Sequence, residues 1–142
     1  MTEDGTGGNP QNGGTAPLIY VVDDQEMVVM VVMELLKLQN FPTRTFQDPQ
    51  EALQAFAEAN PRPQLLLTDY VMEQMNGMEL IDRCKKIDPN LKTILYSGSV
   101  GTEIIEDYGT KPDRFLGKPF KPTVLIAMVN EVLGRCGPTQ PD

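Results

Sequence analysis

Short apolar runs alternate with longer helix-forming runs along most of this chain, and that alternation limits the fold more than any other feature. Residues 18–22 form a β-branched apolar run that reads as a buried strand. Residues 25–39 are long, apolar and rich in Met and Leu, so helix is favoured. Residues 41–46 alternate and contain Thr twice, which predicts a weak strand. Asp48, Pro49 and Glu51 then open a helix, with Asp48 able to cap it, and Asn60-Pro61 stops it after Ala59. A strand follows over 64–68, ending in Asp69, then a helix over 78–87 and a strand over 91–96. A short helix is expected over 102–108, a strand around Phe115-Leu116, and a last helix over 123–133 closed by Gly134. Five strands alternating with five helices predict an α/β fold: right-handed βαβ units around a parallel sheet covered on both faces. Ligands of such sheets bind beyond the carboxyl ends of the strands.

The chain has 142 residues, enough for one domain. The expected domain runs from 17 to 134. Residues 1–16 hold five of the 12 Gly and almost no large apolar side chain, and they read, with the tail 135–142, as disordered. The Gly-rich start lacks the Gly-Lys-Ser or Gly-Lys-Thr of a phosphate loop. Twelve basic against 20 acidic residues give a net charge of −8, which argues against binding nucleic acid or an anionic membrane surface. No apolar stretch is long enough for membrane insertion and no signal peptide is visible, so a cytoplasmic protein is expected. The absence of His removes Ser-His and Cys-His catalysis. Two Cys cannot build a disulfide scaffold or a four-Cys zinc site. Cys84 is expected as a buried inert thiol and Cys136 as an exposed one.

Attention therefore falls on the strand ends. The first strand ends in Asp23-Asp24, the third in Asp69, the fourth in Ser97, and the fifth is followed by Lys118-Pro119. Each alone fits a cap or a turn. Together they bring three carboxylates, a hydroxyl and an ammonium to one edge. Clustered carboxylates need a cation, and an all-oxygen donor set points to Mg²⁺ or Mn²⁺. An ammonium and a hydroxyl can bind the remaining oxygens of a phosphoryl group, and a carboxylate can accept that group as an acyl phosphate. This inventory suits phosphoryl transfer.

Asp23-Asp24, Asp69, Ser97 and Lys118-Pro119-Phe120, in this order on this topology, resemble the receiver domain of two-component response regulators, of the stand-alone type. The resemblance covers about residues 17 to 134. It implies a flavodoxin-like doubly wound (βα)5 fold with a five-stranded parallel sheet in order 2-1-3-4-5. It implies Asp69 as phosphoacceptor, with Asp23, Asp24, Asp69 and the backbone carbonyl of Val71 holding Mg²⁺. Lys118 would contact the phosphoryl group, and its bond to Pro119 would be cis. Ser97 would be the switch hydroxyl and Phe115 the switch aromatic. The implied phosphodonor is a phosphohistidine of a sensor histidine kinase or histidine phosphotransfer protein. A downstream effector would be supplied in trans, because no residues remain for an output domain. The 102–108 helix, the fifth strand and the last helix would form the face that reads the switch, and the same face could support a homodimer.

Two features depart from the family pattern. Met72 is followed by Glu73 rather than Pro, which loosens the loop and adds a charge near the metal. The 102–108 helix is short and flanked by Gly98, Gly101 and Gly109, as in a mobile output face. In the first helix, Val28, Val31, Val32, Leu35 and Leu36 have core spacing. Val29, Met30 and Met33 then fall on the far side and form an expected apolar docking patch for a partner's helices, against the plainer reading of a dimer contact. Two rival functions differ in class. An aspartyl-phosphate phosphatase would need a second Asp two residues after the nucleophile, where this chain has Val71. A receiver-like binding module would act without phosphorylation.

Overall fold

A computed structural model of the chain describes residues 17–98 and 110–134. The helix expected over 102–108, the two tails and Cys136 lie outside the described residues. The described elements run β1 (Ile19–Val22), α1 (Glu26–Leu38), β2 (Thr43–Phe46), α2 (Pro49–Glu58), β3 (Leu65–Asp69), α3 (Gly77–Ile87), β4 (Lys92–Ser97), β5 (Arg114–Gly117) and α4 (Pro122–Val132). The five strands form one parallel sheet, as the alternation predicts, in the order β2-β1-β3-β4-β5 that the family resemblance implies.

Burial explains the sequence of the strands. β1 (IYVV) and β3 (LLLTD) are central and covered on both faces, so every residue in them is buried and no alternation shows. β2 (TRTF) lies at an edge and is less covered, with Arg44 exposed, Thr43 and Thr45 half-buried and only Phe46 buried. Successive side chains of β1 feed opposite layers. Tyr20 and Val22 join Phe56, Leu66, Ile81 and Leu95 under α2 and α3. Ile19 and Val21 join Val32, Leu36, Tyr96, Leu125 and Val129 under α1 and α4.

The helix starts are set locally. Asp48 accepts a hydrogen bond from the Gln50 N–H at 2.8 Å, with Pro49 in the first turn of α2. At α3 the cap is Asn76, whose side chain accepts from Glu79 N–H while Glu79 accepts from Asn76 N–H. Helix α3 therefore begins at Gly77, one residue before the expected start.

Helix α1 corrects the expected docking patch. Val29 is buried, together with Val32 and Leu36, at spacings that face the sheet. Val31, expected in the core, is 53% exposed, and Val28 and Leu35 are half-buried. The physical reason is that residues 27–33 are all apolar, so no polar side chain marks the solvent face and the phase of the helix stays ambiguous. Met30 is exposed and Met33 half-buried. The exposed apolar residues of α1 are Met27, Met30, Val31 and Leu38.

Candidate functional site

The winding of the chain changes direction between β1 and β3. The β1 crossover leads outward to β2, and the α2 crossover returns to β3 on the other side of β1. A crevice opens at such a reversal, beyond the carboxyl ends of the strands. Asp23 and Asp24 follow β1 and Asp69 closes β3, so both walls of the crevice carry carboxylates. One oxygen from each of Asp23, Asp24 and Asp69 can be chosen so that all three lie within 4.8 Å of one another. Asp23 and Asp69 are buried and Asp24 is exposed.

Lys118 reaches this cluster from the end of β5. Its Nζ lies 3.3 Å from Asp69 Oδ1 and 3.6 Å from Asp23 Oδ2. The Lys118–Pro119 peptide is cis, as is Asn60–Pro61. The Lys118 N–H donates to the Ser97 carbonyl at 2.9 Å, which ties the Lys118 turn to the end of β4. Ser97 is buried beside it, in register with Gly117. Phe115 pairs with Leu95 and is half-buried against the α2/α3 core layer. Val71 lies in the loop after β3 with its side chain exposed, and Glu73 is exposed in the same loop. Gln74 adopts a left-handed φ of 74° there.

Three carboxylates face one ammonium, so negative charge is in excess. Asp69 is a weaker acid than an ordinary carboxyl. Burial pushes its carboxyl above the ordinary carboxylate range, the charge of Asp23 adds to that, and Lys118 only partly opposes them. The residues present therefore fit a hard dication: the donors are all oxygen, close together, and short of positive charge.

Tyr96 completes the site and is not marked by the motif. Its hydroxyl donates to Asp23 Oδ2 at 3.1 Å, and Lys118 Nζ lies 4.8 Å from its ring centroid. Burial holds the phenol well above its ordinary pKa, with the Asp23 charge adding to the effect. The sequence did carry a signal, because a Tyr in a fully buried strand needs a partner for its hydroxyl. Asp23 Oδ1 meanwhile accepts the Gln25 N–H at 2.9 Å.

A groove of about 600 Å³ opens beside the cluster. Met27, Val28 and Val31 form one side, and Gly98, Lys118, Pro119 and Phe120 the other. Two exposed apolar residues of α1, Met27 and Val31, therefore share a groove with Lys118.

Comparison with known proteins gives the same direction. The chain is 27% identical to the chemotaxis protein CheY of Thermotoga maritima over 117 residues, which cover 80% of this chain and 95% of that one. It is 30% identical over 118 residues to the DNA-binding response regulator MtrA of Mycobacterium tuberculosis, and spans 50% of that protein's length. A response regulator receiver domain structure from Methanospirillum hungatei superimposes with a TM-score of 0.79 at 22% identity, covering 84% of this chain and 95% of that one. The BeF3-activated DrrB receiver domain superimposes at 0.74 with 26% identity, covering 85% of this chain and 100% of that one. Residues 19–130 match the family profile of the response regulator receiver domain, and the chain belongs to that family.

Proposed function

We propose that this receiver domain is a phosphoacceptor, taking a phosphoryl group from a phosphohistidine onto Asp69. The observation that carries the reading is the Lys118 ammonium standing 3.3 Å from Asp69 and 3.6 Å from Asp23, inside a cluster of three carboxylates. An Asp69 oxygen would form the new P–O bond as the P–N bond to the donor imidazole breaks. The imidazole keeps the bonding pair and its second nitrogen keeps its proton. Lys118 would hold a phosphoryl oxygen through the transfer. Asp23, Asp24, Asp69 and the Val71 carbonyl would hold Mg²⁺. Bound there, the ion neutralises charge on the phosphoryl oxygens and on the carboxylate that must approach them.

Ser97 and Phe115 would read the product. A phosphoryl group on Asp69 adds acceptor oxygens beside the Ser97 hydroxyl, and a shift of Ser97 would open room for half-buried Phe115 to turn inward. The phosphodonor, a sensor histidine kinase or histidine phosphotransfer protein of the cytoplasm, would lay a helix in the groove between α1 and Pro119-Phe120. Met27 and Val31 of the groove, with exposed Met30 and half-buried Met33 on the same helix, are the side chains it would meet. Val29 has no part in this contact.

The test is labelling by acetyl phosphate with Mg²⁺. Wild type should be labelled and Asp69→Asn should not. Persistent labelling of the variant overturns Asp69 as acceptor. Met30→Glu and Val31→Glu should slow transfer from a phosphohistidine donor and leave acetyl phosphate labelling unchanged.

A further inference from the structure

Tyr96 lies near the end of β4, in register with Asp69 of β3 and Leu116 of β5. It is fully buried, with its ring in the α1/α4 core layer and Phe120 edge-on at a centroid distance of 5.9 Å. The far end of this side chain meets two charged groups of the site. Its hydroxyl donates to Asp23 Oδ2 at 3.1 Å, and Lys118, 3.6 Å from that same oxygen, sits over its ring. Asp23 Oδ1 is held by the Gln25 N–H. Each oxygen of Asp23 thus has a donor fixed by the fold, one from the following loop and one from β4. A Tyr ring has two torsions, and here both are confined by core packing, so the position of its hydroxyl is well defined. Outer-shell donors of this kind orient metal-binding carboxylates and strengthen metal binding.

We propose that Tyr96 is a positioning residue that presets Asp23 for a divalent cation. This inference rests on the reading of Asp23, Asp24 and Asp69 as a metal site. The experiment is calorimetric titration of Mg²⁺ into the metal-free full chain, wild type against Tyr96→Phe. The Phe variant keeps the ring, its packing and its contact with Lys118, and loses only the hydroxyl. It should bind Mg²⁺ about tenfold more weakly. The Mg²⁺ concentration for half-maximal labelling by acetyl phosphate should rise by the same factor, and excess Mg²⁺ should restore the rate. In an Asp23→Asn background the same change should have no further effect on Mg²⁺ affinity. A second measurement needs no variant: the ¹³Cζ resonance of Tyr96 in the wild type should move on adding Mg²⁺, with the calorimetric Kd. Equal affinities in wild type and Tyr96→Phe overturn the role of Tyr96 and leave the metal site standing. So does a Tyr96 resonance that Mg²⁺ leaves in place, or a labelling loss that excess Mg²⁺ cannot restore. A wild type that binds no Mg²⁺ overturns the metal reading and this inference with it.

Discussion

Replacing Asp69 by Asn should make the metal-free chain more stable while abolishing its labelling. The buried carboxylates of Asp69 and Asp23 have oxygens within 4.8 Å. At an effective dielectric of about 20, that repulsion is on the order of 3 kcal/mol. Lys118 at 3.3 Å from Asp69 returns on the order of 5 kcal/mol by the same arithmetic. Desolvating the Asp69 carboxylate costs several kcal/mol more. The raised pKa of Asp69 shows which side prevails: burial and Asp23 together outweigh Lys118. A carboxyl with a raised folded-state pKa contributes stability below its unfolded pKa, about 4, and loses that contribution as pH rises through the folded value. The wild type loses it once Asp69 ionises in the folded state, whereas Asn never ionises. Lys118 still has Asp23 at 3.6 Å, so the substitution does not orphan the ammonium. The expected gain is on the order of 1 kcal/mol, or roughly 4 °C in Tm for a domain of this size. Calorimetry or urea titration in EDTA at pH 7 measures it, and the gain should shrink as the pH is lowered through the raised folded-state value of Asp69 toward about 4, then level off. Mg²⁺ at a hundred times its Kd should then stabilise the wild type by roughly 2.7 kcal/mol and the variant by clearly less. A variant less stable than wild type in EDTA would refute the reasoning, because it would mean that the Lys118 pairing dominates the site.

Other consequences are equally specific. A methyl group at Gly77 would overlap the Asp69 carbonyl oxygen and come within 2.7 Å of Leu95 Cδ1. Gly77→Ala should therefore cost about 1–3 kcal/mol by urea denaturation and slow acetyl phosphate labelling. Asn76→Ala removes one half of the α3 capping box and should cost about 1 kcal/mol in the same assay, with labelling retained. Burial pushes the Cys84 thiol up to about 12. In a Cys136→Ser background, iodoacetamide at pH 8 should leave the native chain unmodified and alkylate it in denaturant. The stability contributed by Cys84 is full below the ordinary thiol value and is lost as pH climbs toward 12, so wild type should lose more stability over that range than Cys84→Ala.

The sheet was legible because β1 and β3 are unbroken apolar runs that end abruptly in Asp, and a buried parallel strand has no other way to look. Site residues at strand ends were legible for the same reason, since topology fixes which ends converge. The orientation of α1 was not, because residues 27–33 offer apolar side chains in every direction. Only packing against the sheet selects Val29 and Val32 over Val28 and Val31. The Asn76 cap was passed over because the box hides behind Gly77, which reads as a breaker although its lack of a side chain is what admits α3 against the Asp69 backbone. Tyr96 reads as one more core residue of β4, and its partner Asp23 is 73 positions away. Local pattern carries no information on such a pair.

The surplus apolar surface of α1 has no counterpart of its extent on α2 or α3, whereas α4 also exposes Val124 and Ala127. Helix α2 turns Gln50, Glu51, Gln54 and Glu58 outward, and α3 turns Glu79, Arg83 and Lys86 outward. Both follow the ordinary division between a buried stripe and a solvated face. Helix α1 exposes Met27, Met30, Val31 and Leu38 instead, while Val29, Val32 and Leu36 already satisfy the core. Core packing therefore does not account for these four side chains. Two of them, Met27 and Val31, line the groove shared with Lys118, while Leu38 lines a second groove with Pro122, Ile126 and Ala127 of α4. On the proposed function, a donor helix would bring a charged phosphoryl group to a site crowded with carboxylates, where the Lys118 ammonium would attract it. Apolar contact along α1 would add an attraction that salt does not screen, and unbranched Met side chains would adapt to such a helix. On that reading, the acidic cluster and the apolar helix would divide the work of recognition between chemistry at the rim and adhesion beside it.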